Sequence, residues 1–281
     1  MKPCPTLSRR AFVGASAAAP FSLEAARRKP PVGLELYSVR DQLKQDLFGT
    51  VKAVAGMGYQ GVEFYAPYFE WTPDYAKQVR KLLDDLNIKC YSTHNSAKSI
   101  DPENIGKAAE LNQIIGSKYV IVASAGKVEG LDGWKRVAEK LNQASAQLKS
   151  SGLRTGFHNH ATEFKPINGT MPMEVLASNT EKSVVLQFDI GTALEMKIDP
   201  VQWIRRNPGR IVSMHCKDYS PEPGRGYHVL FGEGVAPWKE IFKAAEKTGG
   251  IEYYLIEQEG SAFPPIETAQ KCLANFKKLH G

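Results

Sequence analysis

Apolar, strand-like runs begin near Val32, Gly61, Ile88, Tyr119, Leu153, Val184, Ile211 and Tyr253, at intervals of 29, 27, 31, 34, 31, 27 and 42 residues. Between them lie stretches with helical spacing, such as Leu47, Val51, Val54 and Ala55, or Trp134, Val137, Leu141, Ala144 and Leu148. Strand and helix alternating eight times over roughly 250 residues is the size and rhythm of a (β/α)8 TIM barrel, an α/β fold. The competing topology is an open doubly wound sheet, which carries a glycine-rich phosphate turn after its first strand. Val32 to Arg40 ends without such a turn, so one TIM-barrel domain over residues 30–281 is expected.

Four of these runs lead into a side chain of metal-binding type: Gly156-Phe157-His158-Asn159-His160, Leu186-Gln187-Phe188-Asp189, Val212-Ser213-Met214-His215 and Tyr254-Leu255-Ile256-Glu257. The steps from His158 to Asp189, His215 and Glu257 are 31, 26 and 42 residues, too long for one helix or loop. A barrel brings the carboxyl ends of its strands together, which would gather two His, one Asp and one Glu around a single point. A lone histidine at a strand end is more often a hydrogen-bonded core residue than a ligand. Four suitable residues on consecutive strands reverse that weighting and predict one divalent metal: Mn, Mg, Co, Zn or Fe, with no single metal favoured by the donors.

Side chains alternate along a strand, so parity shows which residues point together. His158 pairs with His160, Gln187 with Asp189, Ser213 and His215 with Lys217, and Glu257 with Glu259. The earlier strands add Glu35, Glu63 with Tyr65, and His94, while the fourth offers only Ser124. The letters His158-Asn159-His160 spell a nuclease motif, but that motif sits on a hairpin and helix, whereas this triplet closes a strand. Cys4, Cys90, Cys216 and Cys272 show no CxxC spacing and no thiolate pair for structural zinc.

The net charge of +6 does not signal a nucleic-acid partner. Lys2, Arg9, Arg10, Arg27, Arg28 and Lys29 stand against Glu24 alone in the first 29 positions, so the remainder carries about +1. Arg9-Arg10 precedes a mildly apolar run from Ala11 to Leu23 and small residues suited to cleavage, the pattern of a twin-arginine export signal over residues 1–29. A periplasmic or exported protein is expected, and no segment has the roughly 20 apolar residues of a membrane span.

These residues resemble the xylose isomerase-like barrels, the sugar phosphate isomerase/epimerase group, over about residues 31–279. The matching segments are Leu36 to Arg40, Gly61-Val62-Glu63, Phe157 to Phe164, Phe188-Asp189, Gly209-Arg210-Ile211 through His215 to Asp218, Gly232-Glu233-Gly234 and Ile256-Glu257. The resemblance implies a divalent cation held by Glu, Asp, His and Glu from strands five to eight. Asp189, His215 and Glu257 fit the last three positions, while His158, or Asn159 with a one-residue shift, stands where the fifth-strand Glu is expected. It also implies proton transfer beside a carbonyl, with Glu257 as the base and His158 and Lys217 as catalytic partners. Glu63, His94, His160 and Arg40 would bind an unphosphorylated sugar or polyol-derived ketone. Endonuclease IV-like relatives carry an extra His where this chain has Thr192, which argues against DNA cleavage.

Isomerisation or epimerisation is the first expectation. With only Glu257 clearly in place as a base, β-elimination from a 3-keto-glycoside by a lyase or hydratase is the alternative. An exported sugar-binding protein without turnover is the rival from another class.

Overall fold

The computed structural model describes Met1 and residues 29–281. The expected leader lies outside the described residues except for Met1 and Lys29. Eight strands run β1 (Val32–Glu35), β2 (Gly61–Phe64), β3 (Lys89–Ser96), β4 (Tyr119–Ser124), β5 (Arg154–His158), β6 (Val185–Asp189), β7 (Ser213–Cys216) and β8 (Tyr253–Ile256). Neighbours in sequence pair in parallel, and β8 pairs with β1, closing a TIM barrel. Each strand starts within two residues of its expected position.

Helices cover the barrel because each turns one apolar face inward. Val51 and Val54 on Leu47–Met57, and Trp134, Leu141, Ala144 and Leu148 on Gly130–Lys149, are buried against the outward side chains of the strands. The strands are covered on both faces, so they read as nearly continuous apolar runs. Inside the barrel, Tyr91, Tyr119, Ile121, Val185, Val212, Tyr253 and Leu255 form a separate apolar floor. Tyr91 stacks on Tyr253 with ring centroids 4.9 Å apart. Gly61 makes room for this ring, since a Cβ there would stand 2.1 Å from Tyr91 Cε2.

One irregularity shapes the upper barrel. Val62 pairs with Cys90 but Glu63 pairs with Ser92, leaving Tyr91 as an extra residue in β3. Such a bulge re-aims the side chains beyond it. Tyr91 joins the floor, and two positions of lumen-facing side chain follow: the Ser92 hydroxyl donates to Glu63, and His94 reaches Gln187. Thr93 and Asn95 turn outward to Tyr68 and Asn112.

The 42-residue final interval comes from a long β7–β8 connection organised by Asp218. Its carboxylate accepts from Trp238 Nε1 at 2.8 Å, the Gly232 amide at 2.9 Å and the Tyr219 amide at 2.9 Å. Gly234 packs so close that a Cβ would lie 2.1 Å from Asp218 Oδ1. Cys90, Cys216 and Cys272 are buried free thiols. Among the described residues, no helix is long and apolar enough to cross a membrane.

Candidate metal centre

The carboxyl ends of β5, β6, β7 and β8 carry His158, Asp189, His215 and, one residue past the strand, Glu257. Each offers one ligand atom; these four atoms lie within 4.8 Å of one another, and all four residues are buried. On the other half of the barrel, β1, β2 and β3 bring Glu35, Glu63 and His94 to the same level.

His215 joins the two halves. Its Nδ1 lies 2.8 Å from Glu257 Oε2 and its Nε2 lies 2.8 Å from Glu63 Oε2. Glu63 is held in turn by the Ser92 hydroxyl and by Gln187 Nε2 at 2.9 Å, while Gln187 Oε1 sits 2.6 Å from His94 Nε2. Lys217 places its ammonium 2.9 Å from Asp189 Oδ2 and 3.2 Å from Glu257 Oε2, and donates to Glu259 Oε1 at 2.8 Å. The Tyr227 ring lies 5.0 Å from that ammonium. The other oxygen of Asp189 accepts from the Thr192 amide at 2.8 Å. His158 Nδ1 is buried with no hydrogen-bond partner, as a nitrogen kept for a ligand would be.

Burial and charge set the protonation states together. Burial alone would neutralise His215, but the Glu257 and Glu63 carboxylates on either side raise it to about 10. Burial likewise opposes ionisation of Glu63, yet the His94 and His215 imidazoles hold it down at about 2. Glu257 is held well below the usual carboxylate range: Lys217 and His215 overcome its burial. His158 is pushed well down by burial and by the neighbouring imidazoles, so it is neutral and able to ligate. Burial raises the Asp189 carboxyl against the pull of Lys217.

Above the cluster opens a cavity of about 300 Å³ whose walls include Glu35, Tyr37, Tyr65, His94, His158, His160, Glu257 and Glu259. His94, His158, His160 and Glu257 therefore meet at one mouth. Glu63 lies fully buried beneath it and holds His215 and Gln187 rather than lining it. Arg40 starts the helix Arg40–Gln45, donates to the Tyr37 carbonyl at 3.1 Å and covers the Tyr37 ring, facing a neighbouring crevice instead of the mouth. The one-residue ambiguity on β5 is resolved in space. His158 stays in register with Gln187 and enters the cluster, whereas Asn159 bonds the Asp189 amide at 3.0 Å and the Thr192 hydroxyl at 2.8 Å.

His160 caps the short helix Ala161–Phe164. Its ring accepts from the Glu163 amide, and Glu163 Oε2 accepts from the His160 amide at 2.7 Å. Glu163 is thereby occupied in the cap, away from the mouth. Tyr37, although inside the matching segment Leu36 to Arg40, and Tyr227 were not singled out in the sequence, because neither lies on a strand whose parity could place it.

The sequence matches known proteins over nearly its whole described length. An inosose dehydratase of Clostridium botulinum (strain Alaska E43 / Type E3) is 24% identical, the match covering 86% of this chain and 92% of the relative. A solved sugar phosphate isomerase/epimerase of Parabacteroides distasonis superposes with a TM-score of 0.74 at 26% identity, covering 91% of this chain and 96% of that one. The IolI protein, solved with a zinc atom bound, shares the fold with a TM-score of 0.65 at 16% identity, covering 88% of this chain and 98% of that one. Residues 51–279 match the family described as xylose isomerase-like TIM barrel, and with the closed barrel above, this chain belongs to that family.

Proposed function

We propose that this chain is a metal-dependent lyase of the dehydratase type, acting on an unphosphorylated sugar- or polyol-derived ketone. It removes a proton beside the carbonyl and expels water from the next carbon. The observation that carries this reading is the buried tetrad His158, Asp189, His215 and Glu257 at the carboxyl end of the barrel. Two carboxylates and two imidazoles suit a divalent cation, and the free Nδ1 of His158 fits that role. A bound cation would supply Lewis acidity at the carbonyl and its neighbouring hydroxyl.

The chain's own groups divide the remaining work. Glu257, at the mouth and held ionised, takes the proton from carbon. Lys217 adds positive charge beside the oxyanion that develops. His160 also lines the mouth, where its imidazole can pass a proton to the departing hydroxyl. Such a group contributes about 10²–10⁴-fold in rate. No lysine or arginine lines the mouth among the described residues, which supports an unphosphorylated substrate. The leader motif supports a periplasmic or exported location.

Isomerisation was the first expectation from the sequence. The single carboxylate of the tetrad at the mouth, facing histidines, and the relatedness to an inosose dehydratase favour elimination instead. Epimerisation remains the second reading, favoured by the likeness to the Parabacteroides protein. Incubating metal-loaded protein with an inosose and with a ketohexose in D2O tests both. Loss of one water by mass spectrometry supports the lyase. Deuterium at the carbon beside the carbonyl without dehydration supports the epimerase. Neither signal from either ketone would overturn proton transfer and leave a sugar binder.

A further inference from the structure

The tetrad does not use every ligand-type side chain at this level of the barrel. Glu35, Glu63 and His94, from β1, β2 and β3, also bring one ligand atom each within 4.8 Å of the others, all buried. Glu35 is 0% exposed. One of its oxygens accepts from the Tyr37 amide at 3.3 Å; the other, Oε2, is buried with no partner. A buried carboxylate oxygen left without a partner is costly, and such groups are rare unless something absent from the protein itself completes them.

The ion pairs leave this corner of the barrel without a lysine or arginine. Lys217 contacts only the tetrad side and Glu259. Glu63 has the His94 and His215 imidazoles against it, and among the described residues no lysine or arginine pairs with Glu35 or Glu63.

We propose that Glu35, Glu63 and His94 form a second divalent-cation site beside the tetrad. Two carboxylates and one imidazole suit Mn or a similar ion. His215 ties the two sites together, with Nδ1 turned to Glu257 of the tetrad and Nε2 to Glu63 of the triad. Glu35 and His94 also line the mouth, so a cation there reaches the substrate cavity and can anchor a further hydroxyl or carbonyl oxygen. The proposal extends the metal reading of the tetrad but rests on different residues. The competing arrangement is a protonated Glu35 that shares its hydrogen with Glu63.

The full-length protein is stripped with EDTA, reloaded with excess MnCl2 and desalted. Bound Mn is then counted by elemental analysis and examined by electron paramagnetic resonance. Two Mn per chain are expected in the wild type, with a spectrum broadened by the neighbouring spin. Glu35→Gln, which mimics the protonated acid, and His94→Ala should each fall to one Mn with the six-line spectrum of an isolated ion. A wild type that binds one Mn, lost in Asp189→Asn and kept in Glu35→Gln, overturns the second site and leaves the tetrad standing. Two Mn retained in Glu35→Gln also overturns it. No Mn in any sample sinks the tetrad as well.

Discussion

Lys217 occupies the position a bound cation would contest. Its ammonium lies 2.9 Å from Asp189 Oδ2 and 3.2 Å from Glu257 Oε2, and the side chain is 2% exposed. In metal-free protein it neutralises two carboxylates of the tetrad. Lys217→Met keeps most of the buried stem and removes the charge. Breaking a buried ion pair by removing one partner costs about 3–5 kcal/mol, because it strands the other charge. At about 2–4 °C per kcal/mol, the relation for domains somewhat smaller than this one, the metal-free variant should melt roughly 6–20 °C below the wild type. Mn or Zn restores positive charge to Asp189 and Glu257, so the deficit should shrink by more than half in saturating metal. Differential scanning calorimetry in EDTA and in excess metal reads both numbers. An equal deficit in both media would show that Lys217 acts independently of a cation at the tetrad. No deficit in EDTA would refute the charge argument itself.

Glu257→Gln should lower turnover by at least about 10²-fold while leaving the circular dichroism spectrum and oligomeric profile unchanged; a variant of near-normal activity removes Glu257 as the base. Binding of Zn at pH 8 should release about one proton, because a ligating imidazole must shed the proton that Glu257 and Glu63 hold on His215, and calorimetry in buffers of different ionisation enthalpy counts it. The same shift has a stability consequence. The folded pKa of about 10 lies above the ordinary 6.5, so this charge stabilises metal-free protein fully below pH 6.5 and the gain fades as pH rises towards 10. EDTA-treated wild type should therefore lose thermal stability over that window, and His215→Asn should flatten the loss; parallel profiles would contradict it. Gly61→Ala drives a methyl into the Tyr91 ring and should cost about 1–3 kcal/mol, seen as a lower urea midpoint at unchanged slope.

The barrel and the tetrad were legible because both follow from period and position. Strand spacing marks the rhythm of the fold, and the carboxyl end of every strand meets the others whatever the loops do. Parity then brought His158, Asp189, His215 and Glu257 together without knowledge of packing. Parity breaks at β3, where the extra Tyr91 has no sequence signature: a tyrosine beside Cys90 looks like any strand residue. Depth along the lumen was equally hidden. Glu63 and Glu257 are both glutamates at strand ends, yet one lies beneath the mouth and the other lines it. Arg40 was expected near the substrate because the segment Leu36 to Arg40 resembles the family. The turn Leu36–Val39 after β1 carries it past the mouth to stack on Tyr37. Asn159 and His158 differ by one step, and only the pairing of β5 with β6 shows which one faces inward.

The extra residue in β3 interrupts side-chain parity. Removing Tyr91 would restore one-to-one pairing with β2 and disturb few backbone hydrogen bonds, so the eight-stranded closure has little reason to fail. The side chains downstream would keep their sides, because Ser92 already pairs with Glu63. Ser92 and His94 would stay in the lumen, Thr93 and Asn95 would keep Tyr68 and Asn112 on the helix side, and only the ring stacked on Tyr253 would be lost. A deletion of one codon would thus take packing from the barrel floor while leaving the chemistry above it in place. Length variation at this point of β3 is accordingly a marker of floor packing rather than of the groups around the mouth.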